Sequence, residues 1–336
     1  MIRILFFVTL ALFIGCSEKQ YFKPTKTEII GNFEIDSKLE YSIKQSNKNG
    51  ALLEDGTLIT KDGIYKLNLD KNFIFLNMVN DLILVGDYNT NSLHFLNKDG
   101  KILKTFKFDF MPLSANLKEN ILAVVLSNNT SIIWDINTNE ELFSNKGSVI
   151  YAINSNIASP IFLDTNVVFP TFDGKLLVID LNSYKIIRNI SLGSGRFFGN
   201  IIYLAFDGSN INNESIIVAT NNKVVSIIGG KEFSYESNIN DILYKNSKIY
   251  ILSLEGEVIE LDLLLNELHK KKFQFATLNS IVVNNNIYTI ESQGYLIKID
   301  PNSFESNIYE INIDKYKDSF YTNDTIYYDN KVIKVK

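Results

Sequence analysis

The chain has 336 residues, 46% of them hydrophobic and 21% charged, a balance that excludes an intrinsically disordered protein. Its net charge of −5, with lysines scattered along the chain, leaves no basic stripe and so excludes nucleic acid as the expected partner. Cys16 is the single cysteine, which excludes any disulfide within the chain.

In chain order, the first element is a leader. Arg3 precedes an apolar run over residues 4–14, closed by Gly15. One early positive charge, a short apolar stretch and a small residue describe a secretory signal peptide over residues 1–15. The run is too short to cross a bilayer as a helix, which takes roughly 20 residues. Leu12-Phe13-Ile14-Gly15-Cys16 resembles a bacterial lipobox. That resemblance implies cleavage before Cys16 and lipidation of Cys16, which would leave the mature body without a thiol. Ser17 stands where an Asp would direct inner-membrane retention in enteric-type sorting, so an outer-membrane lipid anchor on the periplasmic side is expected. Residues 16–28 read as the lipidated cysteine and a flexible tether, and residues 29–336 as a single domain.

That domain is repetitive. An apolar strand, a tight turn and a second apolar strand recur, with turns at Asp62-Gly63, Asn91, Asn129, Gly174, Asn221-Asn222, Gly256, Gly294 and Asp329-Asn330. In four units the second strand ends in an acid six residues after the turn: Asn129 with Asp135, Gly174 with Asp180, Gly256 with Asp262, Gly294 with Asp300. Gly and Asn accept the positive φ that hairpin turns need. Strands such as Leu176-Leu177-Val178-Ile179 have no polar face and must be covered on both sides. A period near forty residues is that of propeller blades, in which neighbouring blades supply the cover. Flanking segments such as 241–248 before a unit and 184–192 after it complete four strands per blade.

The reading is therefore an all-β fold, a β-propeller of eight four-stranded blades, with seven as the alternative because the first unit is short. The last unit runs out of chain after its third strand, whereas residues 32–43 form a strand with no unit of their own. This N-terminal strand is expected to complete the last blade and close the ring.

Chemistry is sparse by comparison. The two histidines, His94 and His269, are isolated and cannot form the usual three-ligand zinc site unaided. No nucleophile elbow, zinc-protease helix motif, phosphate loop or dinucleotide fingerprint occurs. Asp135, Asp180, Asp262 and Asp300 recur with the repeat, which favours turn formation over catalysis. Residues 207–214 are oxygen-rich but lack the acid pattern of a calcium loop. Lys270-Lys271-Lys272 reads as a solvated outer strand and Trp134 as a packed strand residue. No catalytic, cofactor or metal residue is expected, and the protein is read as a non-enzyme.

The module at 173–192, DGKLLVIDLNSYKIIRNISL, resembles the repeat of pyrroloquinoline-quinone-type propellers. Those occur in quinoprotein dehydrogenases and in BamB, the lipoprotein of the outer-membrane β-barrel assembly machinery. The dehydrogenase branch is disfavoured by the single Trp and the absence of adjacent cysteines. The BamB branch implies a membrane-anchored scaffold with an envelope protein partner, the barrel assembly machinery among the candidates. A propeller binding a small ligand or envelope glycan, and a carboxylate-dependent hydrolase or lyase, are the alternatives.

Overall fold

The computed structural model describes residues 20–148, 156–193, 199–208 and 214–335. Eight four-stranded antiparallel blades stand in a ring as an eight-bladed β-propeller, seven of them built from strands consecutive in the chain and the eighth from three such strands and one from the N-terminal segment. Blade 1 comprises Ile43–Ser46, Gly50–Leu53, Thr57–Thr60 and Ile64–Lys66. The later blades span residues 73–107, 112–146, 161–191, 203–236, 239–272, 278–310 and 319–334. The first strand of each blade lines the axis and the fourth lies outermost. Because the strands alternate in direction, second-to-third turns and blade-to-blade connections share one end of the ring, here called the upper end. First-to-second and third-to-fourth turns share the lower end.

Among the described residues there is no common core. Buried side chains fall into eight clusters, one at each blade–blade interface. Blade 4 shows how the period of two achieves this. Val167, Phe169, Leu177 and Ile179 pack against blade 3, while Val168, Leu176 and Val178 pack against blade 5. Successive side chains of one strand thus serve two different interfaces, which is why the middle strands are apolar throughout.

The recurrent acids build lower-end turns. Asp135 Oδ1 accepts the backbone N–H groups of Asn137 (2.7 Å) and Thr138 (3.0 Å), and Asp300 Oδ1 those of Asn302 and Ser303 (both 2.9 Å). Asp180 accepts from Ser183 N (2.9 Å) and Asp262 from Asn266 N (2.8 Å). Each turn then passes through a residue with φ between 52° and 62°, namely Asn139, Tyr184, Leu265 or Phe304. Blade 1 departs from the sequence reading in one respect. Its second-to-third turn is Asp55-Gly56, and Asp62-Gly63 forms the third-to-fourth turn instead. Both Asp-Gly pairs signal hairpins, and four-residue strands place them close together. The six-residue offset to the terminal acid, Gly56 to Asp62, marks the right one.

The ring closes through the N-terminal segment, in two places. Ser37–Lys38 adds the outer strand of blade 8, with Ser37 opposite Val332 and Lys38 opposite Lys331. Asp36 N donates to Val332 O (3.0 Å) and Leu39 N to Asn330 O (2.7 Å). The expected closing strand is thus confined to two residues, and Ile43 already begins blade 1. Upstream, Ile29–Asn32 pairs in parallel with Ser306–Glu310, giving blade 7 a fifth strand that the sequence reading did not foresee. Within the stretch read as a tether, Phe22 is buried against Phe273 and Tyr295, edge to face at 6.1 and 5.5 Å. Leu39→Pro is expected to be about 2 kcal/mol less stable than Leu39→Ala in urea denaturation. Both lose the leucine side chain, and only proline removes the N–H bonded to Asn330.

Candidate functional site

The first strands enclose an axial channel of about 1230 Å³. Each first strand presents one unpaired edge to this channel, so its backbone groups need partners from elsewhere. Neighbouring blades supply them. Asn47 Nδ2 donates to Phe75 O (2.9 Å), Asn77 Nδ2 to Ala115 O (3.1 Å) and Asn116 Nδ2 to Pro160 O (2.8 Å). Asn240 Nδ2 donates to Leu278 O, and Ser280 Oγ to Ser319 Oγ (2.7 Å). Ala158 N bonds Ile201 O (2.8 Å), and Tyr244 N donates to the Tyr203 hydroxyl (2.8 Å). Blades 8 and 1 are joined where Lys48 Nζ donates to the Tyr321 hydroxyl (3.1 Å). Every adjacent pair is stitched at the axis.

One turn also reaches across the axis. The first strand of blade 1 stops after four residues, whereas that of blades 2, 3 and 6 runs for seven. The chain turns back at Asn47-Lys48-Asn49, with Asn47 Oδ1 accepting Asn49 N (2.8 Å) and Gly50 N (3.1 Å). Lys48 pairs with Asp241 of blade 6 and donates to Ile242 O (3.0 Å). Its ammonium stands 5.7 Å from the Tyr203 ring centre and 5.3 Å from that of Tyr321. Asn49 Nδ2 reaches Ser159 Oγ of blade 4 (2.9 Å). Burial, and for Tyr321 the Asp241 charge, raises both phenol pKa values, so these hydroxyls stay neutral around the ion pair. The turn acts as a bar across the channel.

The two ends of the ring differ in surface character. Tyr41, Tyr88, Phe110, Leu254, Phe275 and Tyr316 are exposed large apolar side chains, and topology puts all six at the upper end. Among the described residues, the exposed large apolar side chains at the lower end are aliphatic: Leu264 in a turn, and Ile64, Ile102, Leu103, Ile186, Ile187 and Leu268 where the outer strands begin.

No protein-family model matches the chain. A plasminogen-binding protein, PgbB, of Helicobacter pylori strain J99 is 35% identical over 377 aligned positions, covering 96% of this chain and 69% of that protein. The chain belongs to the PgbB family. The PgbB of H. pylori strain 26695 is 34% identical over 96% of this chain and 68% of its own length. Among solved structures, BamB from Moraxella catarrhalis has a TM-score of 0.65 at 13% identity, covering 94% of this chain and 98% of BamB. The C-terminal WD40 domain of Sif2 also has a TM-score of 0.65, at 12% identity over 92% of this chain and 99% of that domain. These structural likenesses concern the propeller fold.

In this PgbB-family chain the residues singled out from sequence do not converge. Cys16 and residues 209–213 lie outside the described residues. Asp207 Oδ2 accepts the Tyr244 hydroxyl (2.5 Å). His94 is buried in blade 2 with Nδ1 2.8 Å from Thr105 Oγ1, and burial lowers its pKa. His269 lies on the outer strand of blade 6, 3.2 Å from the buried Glu260 and stacked on Phe304 of blade 7. Lys248 also pairs with Glu260. Lys270 and Lys272 are balanced by Glu257, and Lys271 Nζ donates to Phe304 O (3.3 Å). Trp134 of blade 3 packs edge-on to Phe106 of blade 2 and to Phe108 in the connection between them. The channel asparagines went unnoticed in the sequence. Their signal is an Asn recurring at the same point of a first strand, as at positions 77 and 116 or 240 and 279.

Two carboxyls, Asp173 partly buried and Glu291 fully buried, respond to pH in opposite directions. Asp173 is held at about 2: burial would raise it, but bonds from Lys175 Nζ (2.6 Å), Asn129 Nδ2 (3.0 Å) and Ser148 Oγ (2.9 Å) outweigh that. Glu291, fully buried in blade 7, is pushed up to about 7 by burial, against the pull of Gln293 N (2.7 Å) and Thr277 N (3.2 Å). An acid whose folded pKa exceeds its unfolded value stabilises the fold below the unfolded pKa of 4.5 and loses that contribution as pH rises through 7. Comparing urea stability of the parent chain and Glu291→Gln across pH 4.5–7 is expected to show a difference that grows with pH to at most ~3 kcal/mol in the variant's favour. The comparison removes the opposite slope of His94, which both proteins share. For the bar, Lys48→Met is expected to cost about 1–2 kcal/mol, less than a fully buried pair would because Lys48 keeps solvent contact. Lys48→Met with Asp241→Asn should recover most of that loss in a double-mutant cycle.

Proposed function

We propose that this chain is a protein-binding propeller anchored at the outer membrane by a lipid on Cys16, and that its partner is plasminogen. The observation that carries the reading is the 35% identity along 96% of the chain to a protein named for plasminogen binding. The channel supports binding over catalysis. Among its described lining residues the acids are Asp241 and Asp318, and Asp241 is already engaged by Lys48. Paired carboxylates for general acid–base work need a free partner poised beside them.

With the bar across the axis, the channel does not offer an open seat for a protein loop, so recognition falls to the outside of the ring. A plasminogen partner also requires the propeller on the outward face of the outer membrane. The periplasmic placement belongs instead to a role in barrel assembly, and the likeness to BamB at 13% identity supports the fold without naming a partner.

Purified chain titrated against immobilised plasminogen is expected to bind saturably, whereas an unrelated propeller of similar size and charge is not. Lys48→Met should bind as tightly as the parent chain. Absence of saturable binding overturns the plasminogen reading. Binding abolished by Lys48→Met in a variant of unchanged fold would move recognition into the channel.

A further inference from the structure

We propose that the upper end of the ring is a membrane-contacting face, laid against the bilayer that holds the anchor; this rests on the lipidation of Cys16 proposed above. Three observations converge on it. The first is the one-sided distribution of exposed aromatic side chains: Tyr41, Tyr88, Phe110, Phe275 and Tyr316 are all at the upper end, whereas the exposed large side chains at the lower end, Leu264 and those that begin the outer strands, are aliphatic. These five aromatic residues have exposed fractions between 45% and 54%, or 39% for Tyr41. Tyrosine and phenylalanine at the surface of an anchored protein suit the headgroup–acyl boundary, where an apolar ring and a polar edge are both accommodated.

The second observation is where the chain enters the fold. Phe22 is seated among Phe273 and Ala276, in the connection from blade 6 to blade 7, and Tyr295, which follows the second-to-third turn of blade 7. All three are upper-end positions. The exposed Tyr21 immediately precedes Phe22 in the chain.

The third is the length of what remains. Five residues lie between Cys16 and Phe22, six steps along the chain, and a fully extended chain covers at most about 3.5 Å per residue, so the reach is roughly 20 Å. An acylated Cys16 at the bilayer surface therefore holds the upper end near the headgroups. The lower end, across the full height of the blades, faces away. At so short a tether the local concentration of lipid is high, and weak contacts by single aromatic side chains suffice to fix the orientation. The lower end and the outer strands are then the surfaces left for a protein partner, and the membrane covers the upper mouth of the channel.

The test uses the lone cysteine. Mature chain beginning at Cys16 is coupled through its thiol to a maleimide lipid in vesicles of phosphatidylethanolamine and phosphatidylglycerol, some carrying brominated acyl chains. All eight blades and the closing strands lie within residues 20–335, so this chain keeps the whole fold. Phe275→Trp and Tyr316→Trp report on the upper end and Leu264→Trp on the lower, with the signal of Trp134 subtracted from each. Circular dichroism melting confirms that each variant is folded. A blue shift and bromolipid quenching at 275 and 316, with neither at 264, is the expected result. Equal quenching at both ends, quenching at 264 alone, or no quenching at any position overturns the orientation. Cells fed an alkynyl fatty acid read the anchor separately: label lost on Cys16→Ser upholds it. No label on the parent chain overturns the anchor, and the orientation with it, whatever the vesicles show.

Discussion

Everything in this molecule depends on the fact that a blade cannot bury itself. The middle strands carry apolar side chains on both faces, and a single sheet has nothing to put against either. Burial is worth about 25 cal/mol per Å² of apolar surface only if a second surface arrives to meet it. Each blade therefore borrows its stability from two neighbours, and eight interface clusters take the place of one core. A row of such sheets would leave two faces bare at its ends, and closure into a ring removes both. The axial bonds from Asn47, Asn77, Asn116 and Asn240 answer the matching polar problem, since the inner strand of every blade has an edge with no further strand to pair with. Apolar packing sets the distance between blades, and these side-chain-to-carbonyl bonds set their relative height.

The bar at residues 47–49 shows how a local length difference becomes a feature of the whole. Blade 1 has strands of three or four residues, so its first turn lies part-way along the channel and not at its mouth. A turn in that position carries unsatisfied polar groups into the axis, and contacts to blades 4, 6 and 8 satisfy them. The same shortness made the first unit hard to place in the sequence. Two Asp-Gly pairs fell within nine residues, and each had the local chemistry of a hairpin.

The repeat was legible because its signals are local and periodic. Positive φ at Asn129, Gly174, Gly256 and Gly294, and the amide-accepting acids at 135, 180, 262 and 300, follow from the residues themselves. The closing strand was legible from a count of strands. Its shortness and the parallel pairing of Ile29–Asn32 were not, because pairing between positions 29 and 308 carries no pattern that either segment shows alone. The axial contacts were hidden for a similar reason. An Asn in a strand reads as a defect until the next blade places a carbonyl beside it, and the partner of Lys48 lies 193 residues away. Cooperation between distant residues is what one chain read by itself does not display.

The double closure by the N-terminal segment has a consequence for the order of events when this protein is made. Residues 29–38 emerge first, yet their pairing partners, 306–310 and 331–332, are almost the last. The blades between can pair internally as they appear, each a local hairpin structure that forms quickly. The segment that seals the ring must stay unpaired through nearly the whole chain, and joining it at the end closes a loop of some three hundred residues. The entropic penalty for so long a loop exceeds that for a thirty-residue one by only about 2 kcal/mol, because it grows with the logarithm of length. Timing is affected far more. If a lipid tethers the N-terminus at a membrane, the growing chain is held at one end, and the closing segment waits there until the last blade is delivered to it.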